Sequence, residues 1–479
     1  MRNYSRYIHC MAAMSVFGLV AACTPAKVDR DVALGLELPE RFVASEAEQE
    51  SLYEDWLEDI ASPTLRAVID EALASNPDLL VTAARLNQAQ AQLTIAGAAR
   101  LPTLDASFNF NRLQNRFTGP TGETASVRQS NFNLSGRLNW ELDVWGRLAA
   151  QDAAAYSDTL AAEADLANAR LSLAGQVAQS WFALTTAQQQ LNLAKTRVAS
   201  FERSNGIVRS RYERGITTAL DVYLSESNLA SARSLLTRRE NELGQAKRAL
   251  EVLVGRYPTS ALNADADLPE FVEDVPVGLP SELLSRRPDI QAAQARLIAA
   301  DYRYAAARRA LLPQFSLTVT AGERAETFRQ FRSFSDLVYN LATNISQPIF
   351  RGGQLRANVR LEDARRDERL ASYAGVLLGA FEEVENTLSA EIYLAEQVGH
   401  LRDAARQARA AERLAEQQYS RGITPLLNLL DAQRRYLDAQ SQYLDVLRAR
   451  VNNRVQLHLA LGGPFEAADT PFELTGLNP

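Results

Sequence analysis

Residues 212–217 read Tyr-Glu-Arg-Gly-Ile-Thr, and residues 419–424 read Tyr-Ser-Arg-Gly-Ile-Thr, 207 positions later. Gly215 and Gly422 suit the left-handed residue that closes a helix C-terminus. Thr217 and Thr424 suit the N-cap of a following helix, and Pro425 suits its first turn. Each copy therefore predicts the tip of a helical hairpin. The arm leading into each tip is long, because no proline occurs between Pro120 and Pro258 or between Pro348 and Pro425. Leu148 to Arg211 is rich in Ala, Leu, Gln and Arg, all good helix formers. At a rise of 1.5 Å per residue that stretch spans roughly 96 Å, more than a globular domain of this size holds, so it belongs in a long bundle or tube. Leu160, Leu171, Phe182 and Leu193 recur every 11 residues, a period that fits nearly straight or slightly right-handed packing. The returning helix runs for about 35 residues, half the length of the first arm.

Outward from the tips, the whole chain repeats. Asn76-Pro77-Asp78 and Arg287-Pro288-Asp289 are 211 apart, as are Leu101-Pro102 and Leu312-Pro313. Leu253-Val254-Gly255 and Ala460-Leu461-Gly462 are 207 apart, so the four-residue change falls in between. Each half opens with a helix, with proline in its first turn, that stops near Leu-Pro. Alternating segments follow. Phe132, Leu134, Leu138, Trp140, Leu142 and Val144 share one face of a strand; Asn131, Asn133, Ser135, Arg137, Asn139, Glu141 and Asp143 share the other. Ala106, Phe108 and Phe110 alternate with Asp105, Ser107, Asn109 and Asn111, and the second half repeats the arrangement with Phe315, Leu317, Val319, Tyr339, Leu341 and Ile345. Arg112–Gln129 and Gly322–Asp336 read as polar loops between strands. The domain plan is a first repeat over 64–255, a linker over 256–280 that reads as crossing the surface, a second repeat over 281–463, and a tail over 464–479.

The N-terminus has a separate character. Arg2 and Arg6 precede the apolar run Met11–Ala22, too short to span a bilayer and typical of a secretory signal over 1–22. Val20-Ala21-Ala22-Cys23 resembles a bacterial lipobox, which makes Cys23 the lipidation candidate and 23–63 a lipid-anchored extended segment; an ordinary signal with a chance Cys is the alternative. Thr24 in place of Asp favours the outer membrane by resemblance to lipoprotein sorting rules. Cys10 leaves with the signal, so no intramolecular disulfide is possible. All three Met lie in the signal as well, leaving only His400 and His458 as mature histidines. These counts argue against a metal site, and neither a phosphate loop nor a catalytic cluster is present. We expect no enzyme and no cofactor. The net charge of −7, without a basic patch, argues against nucleic acid.

A two-stranded hairpin is not stable alone, and its edges must be paired. One chain offers about four strands of a length that suits a transmembrane barrel. Four cannot close around a lumen, and several chains together can. The polar faces then line water and the Phe/Leu/Trp faces meet lipid. A soluble β-sandwich between helices is the alternative.

With these features in order, the chain resembles the TolC/OprM-type outer-membrane efflux factors, in their lipid-anchored (NodT-like) branch. The likeness rests on Gly278-Leu279-Pro280-Ser281-Glu282-Leu283-Leu284 running into Arg286-Arg287-Pro288-Asp289-Ile290, on Trp56, Pro63, Leu65 and Asn76-Pro77-Asp78, and on the paired Tyr-x-x-Gly tips. It implies a mainly α fold with a membrane β-barrel portion: a homotrimer with a 12-stranded barrel and a periplasmic α-helical barrel. It also implies a periplasmic adaptor protein and an inner-membrane RND pump as partners, and a passive duct for small molecules such as drugs. The resemblance further implies that the tips Gly215-Ile216-Thr217 and Gly422-Ile423-Thr424 touch the adaptor. Leu427 and Asp431 would ring the axis as a gate, the three carboxylates raising one another's pKa. Asp221 would hydrogen-bond Tyr419 to lock neighbouring hairpins. Thr424 and Asn428 depart from the TolC pattern, which has Arg and Asp there, and point to a different closure. The rival functions are a duct for type I protein secretion and a soluble periplasmic coiled-coil scaffold.

Overall fold

The structure is a computed structural model that describes residues 42–43, 62–118, 122–265, 267–269, 271, 283–327 and 337–463. The signal, Cys23, Trp56, the motif 278–282 and the tail 464–479 lie outside the described residues. Two compact units divide the chain: one holds Thr94–Ala154 and Ile298–Glu368, the other the described residues of Pro39–Leu93, Ala155–Leu297 and Arg369–Pro479.

The elements repeat as the sequence predicts. Helix α1 (Pro63–Ser75) leads into α2 (Pro77–Ala98), β1 (Thr103–Thr118), β2 (Thr124–Leu142), α3 (Arg147–Glu213) and α4 (Ala219–Leu253). The short α5 (Leu283–Arg286) leads into α6 (Pro288–Arg309), β3 (Gln314–Ala325), β4 (Leu337–Ser346), α7 (Gln354–Ser420) and α8 (Leu426–Ala460). Helices α2 and α6 have 22 residues each, α3 and α7 have 67, and α4 and α8 have 35. The strands differ in length between the halves, which is where the offset between the repeats changes.

The sheet runs β1-β2-β3-β4, antiparallel throughout. Its register aligns the alternating residues across all four strands. Leu104, Leu138, Val319 and Leu341 form one row, and Asp105, Arg137, Thr320 and Asn340 form the next. Because side chains alternate at period 2, the first row belongs to an apolar face and the second to a polar one. Phe110 and Phe132 stack at 4.7 Å on the apolar face, and Ser107 meets Ser135 at 3.0 Å on the polar face. On the outer strands the apolar side chains are exposed, Phe108 at 54% and Leu341 at 64%. Strands β1 and β4 each have one edge that no strand among the described residues pairs.

Three expectations for this region need correction, the first being the loop from Gly322, because β3 runs on to Ala325. The loop expected over Arg112–Gln129 is mostly strand, with β1 continuing to Thr118 and β2 beginning at Thr124; alternating polar and apolar residues can hold a ladder whose two faces both meet solvent. Val144 and Trp145 lie beyond the strand. Asp143 ends it by accepting hydrogen bonds from the N–H groups of Leu148 (3.0 Å) and Ala149 (2.7 Å), which satisfies the first turn of α3. Trp145 Nε1 donates to the carbonyl of Pro313 at 2.8 Å.

In the helical unit, a core gathers Leu65 and Ile69 of α1, Val177 and Trp181 of α3, Leu250 of α4, and Val451 and Val455 of α8. Leu171 and Phe182 of the 11-residue series are buried and Leu193 packs on the tip cluster; Leu160, the exception, is 40% exposed. The linker is less superficial than expected. Leu268 is buried in the core, and the Glu251 carboxylate accepts N–H bonds from Ser260, Ala261 and Leu262. Burial works against charge on Glu251, and these donors outweigh it, holding its carboxyl below the usual range. No described helix is long and apolar enough to cross a membrane.

Candidate functional site at the hairpin tips

Both tips close in the same way. At the end of α3, Ile216 N–H bonds the carbonyl of Arg211 (2.9 Å) and Gly215 N–H bonds that of Tyr212 (2.8 Å). At the end of α7, Ile423 bonds Gln418 (2.9 Å) and Gly422 bonds Tyr419 (2.9 Å). This double closure is the Schellman motif, and it needs a left-handed residue at its penultimate position. Gly215 and Gly422 supply it with φ of 72° and 75°, as the sequence predicts.

The helices that leave the tips start one residue later than expected. Thr218, not Thr217, is the N-cap of α4, in a reciprocal capping box with Asp221. Pro425, expected inside the first turn of α8, is its N-cap and offers no side-chain bond. The Thr424 hydroxyl instead accepts from Asn428 Nδ2 at 2.9 Å. The shift reflects competition among adjacent hydroxyls: Thr217 and Thr218 both reach Asp221, and Thr218 has the extended backbone of a cap, with ψ of 160°.

Asp221 is thereby occupied. The hydroxyl of Thr217 donates to it, as do the N–H (3.3 Å) and hydroxyl (3.2 Å) of Thr218. The Thr217 bond, foremost, holds its carboxyl below the usual range. The expected bond from Tyr419 to Asp221 is not made within the chain. Tyr419 is buried at 3% exposure, and its hydroxyl has no hydrogen-bond partner among the described residues. Burial pushes the phenol up, the nearby Asp221 charge adds to that, and Arg211 opposes it.

Asp431 is on the first turns of α8 and carries two cations of its own helix. Arg435 Nε donates to it at 2.7 Å and Arg434 Nη2 at 3.2 Å. Arg435 chiefly, with Arg434, draws its carboxyl below the usual range. Leu427 is one turn earlier and 65% exposed, and Ile216 and Ile423 project at 58% and 69%. Beneath them, Phe201 and Val208 of α3, Leu229 of α4 and Leu426, Leu429 and Leu430 of α8 form the tip's apolar core. A polar layer adjoins it: Gln433 Nε2 donates to Ser200 (2.8 Å) and Ser204 (2.9 Å), and Ser200 donates to Glu412 at 3.2 Å.

The sequence reading missed Arg211, Thr218, Arg434 and Arg435. The two arginines beside Asp431 were legible, because spacings of three and four put side chains on one helix face. Arg211 was not: a basic residue in a last helical turn ordinarily reads as a partner of the helix dipole. No group of acidic, His or Cys side chains among the described residues is placed to hold a metal ion.

A sheet with an exposed apolar face and outer edges left unpaired among the described residues, in a chain with two 67-residue helices, fits the wall segment of an outer-membrane channel. The chain belongs to the outer membrane efflux protein family, whose model matches residues 68–256 and 279–463, one match to each repeat. It is 32% identical over 473 residues to the pyoverdine export outer membrane protein OpmQ of Pseudomonas putida, covering 96% of this chain and 98% of that one. It is 34% identical over 408 residues to the solvent efflux pump outer membrane protein SrpC of Pseudomonas putida, covering 84% and 85%. The solved outer-membrane channel OprN superposes with a TM-score of 0.82 at 28% identity, over 89% of this chain and 97% of that one. The chain is thus an outer-membrane efflux channel and not an enzyme.

Proposed function

We propose that the protein works as a homotrimer, anchored to outer-membrane lipid through Cys23, and forms the exit duct of a tripartite system with a periplasmic adaptor and an inner-membrane RND pump. The observation that carries this reading is the sheet: four strands in register, one face apolar and exposed, both outer edges open among the described residues. Lipid offers no partner to an open edge, so the sheet closes on other copies. Two copies supply eight strands, a barrel whose interior side chains fill. Three supply twelve and leave a lumen. The tips Gly215-Ile216-Thr217 and Gly422-Ile423-Thr424 then face the adaptor, their bare glycines admitting a helix closely. Leu427 and Asp431 ring the narrow end.

The cargo is a small molecule: OpmQ is named for export of pyoverdine and SrpC for efflux of solvent, and both readings suit a wide aqueous path whose selectivity is set by the pump. Light scattering of the detergent-purified protein tests the assembly. A mass of three chains is expected, and a monomer or dimer defeats the reading. Leu427→Ala combined with Asp431→Ala tests the gate: planar-bilayer conductance should rise severalfold, and unchanged conductance removes the gate from this ring. Loss of small-molecule efflux in a deletion strain, without loss of a secreted protein, separates this duct from one for type I secretion.

A further inference from the structure

The second hairpin tip is closed by a residue of the first. Arg211 Nη1 donates to the carbonyl oxygen of Tyr419 at 2.7 Å, the same oxygen that Gly422 N–H reaches at 2.9 Å. The Arg211 guanidinium also lies over the Tyr419 ring, 4.9 Å from its centroid. Gly422 makes room for it. A Cβ at that position would meet Arg211 Nη2 at 3.3 Å, on a backbone already at φ of 75°. Meanwhile the carbonyl of Arg211 closes its own tip by accepting from Ile216. One residue therefore ends α3 through its backbone and fastens the end of α7 through its side chain.

The Asp221–Tyr419 link foreseen between the tips is not made among the described residues. Thr217 and Thr218 occupy Asp221, Tyr419 buries its hydroxyl without a partner, and Thr424 pairs with Asn428 on its own helix. We propose that Arg211 is the lock between the two hairpins of each chain in the closed duct, holding Tyr419 by its ring face and backbone carbonyl, so that opening requires this stack to separate. The inference rests on the tips forming the gate, as proposed above. It differs from the Asp221–Tyr419 bond in a way chemistry can distinguish, since the Tyr419 hydroxyl has no part in it. A guanidinium can stack flat on a ring while one edge donates to a carbonyl; an ammonium is a compact point charge and does this less well.

The test is planar-bilayer conductance of the full-length reconstituted protein. Arg211→Ala should raise the closed-duct conductance roughly fivefold or more, the scale expected when a charge-assisted bond and a cation–π contact are lost together. Arg211→Lys should fall between wild type and Arg211→Ala, which keeps the test usable if the alanine variant assembles poorly. Tyr419→Phe should conduct as wild type. Tyr419→Ala should leak as Arg211→Ala does, and the double variant should leak no more than either single one. The lock is overturned if Arg211→Ala and Arg211→Lys both conduct as wild type while the Leu427→Ala/Asp431→Ala protein leaks, or if Tyr419→Phe leaks as much as Arg211→Ala. If none of these variants leaks, the gate at the tips falls, and the lock falls with it.

Discussion

Asn76 and Arg287 occupy equivalent places in the two repeats and do the same work with different chemistry. Asn76 Nδ2 donates to the carbonyl of Leu253 at 2.8 Å, while its Oδ1 accepts from the N–H groups of Asp78 and Leu79. Arg287 Nη1 donates to the carbonyl of Ala460 at 2.8 Å and to Glu383 at 2.9 Å, and its Nη2 donates to Asp289 at 2.8 Å. Leu253 and Ala460 are themselves equivalent, so each repeat ties the start of its first helix to the end of its last. Burial opposes the charge of Arg287, and Asp289 with Glu383 outweighs it. Removing this arginine strands two carboxylates and a carbonyl, so Arg287→Ala should cost about 2–3 kcal/mol, and Asn76→Ala nearer 1 kcal/mol; denaturant unfolding in detergent measures both. Glu412 carries the opposite bias. Burial, with Glu416 nearby, raises its carboxyl above the usual range, against the Ser200 bond and Arg203 and Arg409. The folded chain thus holds this proton more tightly than the unfolded one. The resulting stability is present below the ordinary carboxylate range and lost as pH rises through the raised value. Glu412→Gln should therefore raise the melting temperature slightly at pH 8 and change it least near pH 4, and a uniform effect across that range would argue against the shift.

At the scale of elements, propensity and punctuation explain most of what forms. The long helices end at Gly215 and Gly422, and the Schellman closures there were legible because only a left-handed residue completes them. The caps that follow were legible only to within a residue. Several hydroxyls lie within reach of the same N–H groups, and backbone conformation, which sequence does not display, chooses between them. Thr218 won at the first tip, so Thr218→Ala should destabilise α4 by about 1 kcal/mol, while Thr217→Ala should cost less because it removes no cap; proteolysis rates at the tip report the difference. The strands ran past the expected loops for a related reason. Polarity marks a loop only where one face of the strand must be buried, and β1 and β2 beyond Asn111 and Asn131 bury neither face strongly. The link from Arg211 to Tyr419 was out of reach altogether: it joins residues 208 positions apart, on helices whose relative rotation the 11-residue period does not specify.

For the whole molecule, the sheet's two faces carry the argument for a channel. Leu341 and Asn340 are neighbours on β4, both exposed, and they point to opposite faces, opposite Val319 and Thr320 on β3. If the apolar row faces lipid and the polar row faces the water-filled axis, one charge placed at these two sites should have unequal effects. An arginine on the lipid face of a barrel costs about 2–4 kcal/mol near the bilayer midplane, whereas one in the lumen is solvated. Leu341→Arg should therefore cut the amount of heat-modifiable assembled protein recovered from the outer membrane. Asn340→Arg should assemble normally and alter only the ion selectivity of the reconstituted duct. A soluble sandwich would bury the Leu341 face against protein and would also lose stability on this substitution, so the Asn340 arm decides. Selectivity shifts toward anions only if residue 340 lines a conducting path, and an unchanged selectivity with normal assembly would place the lumen on the other face of the sheet.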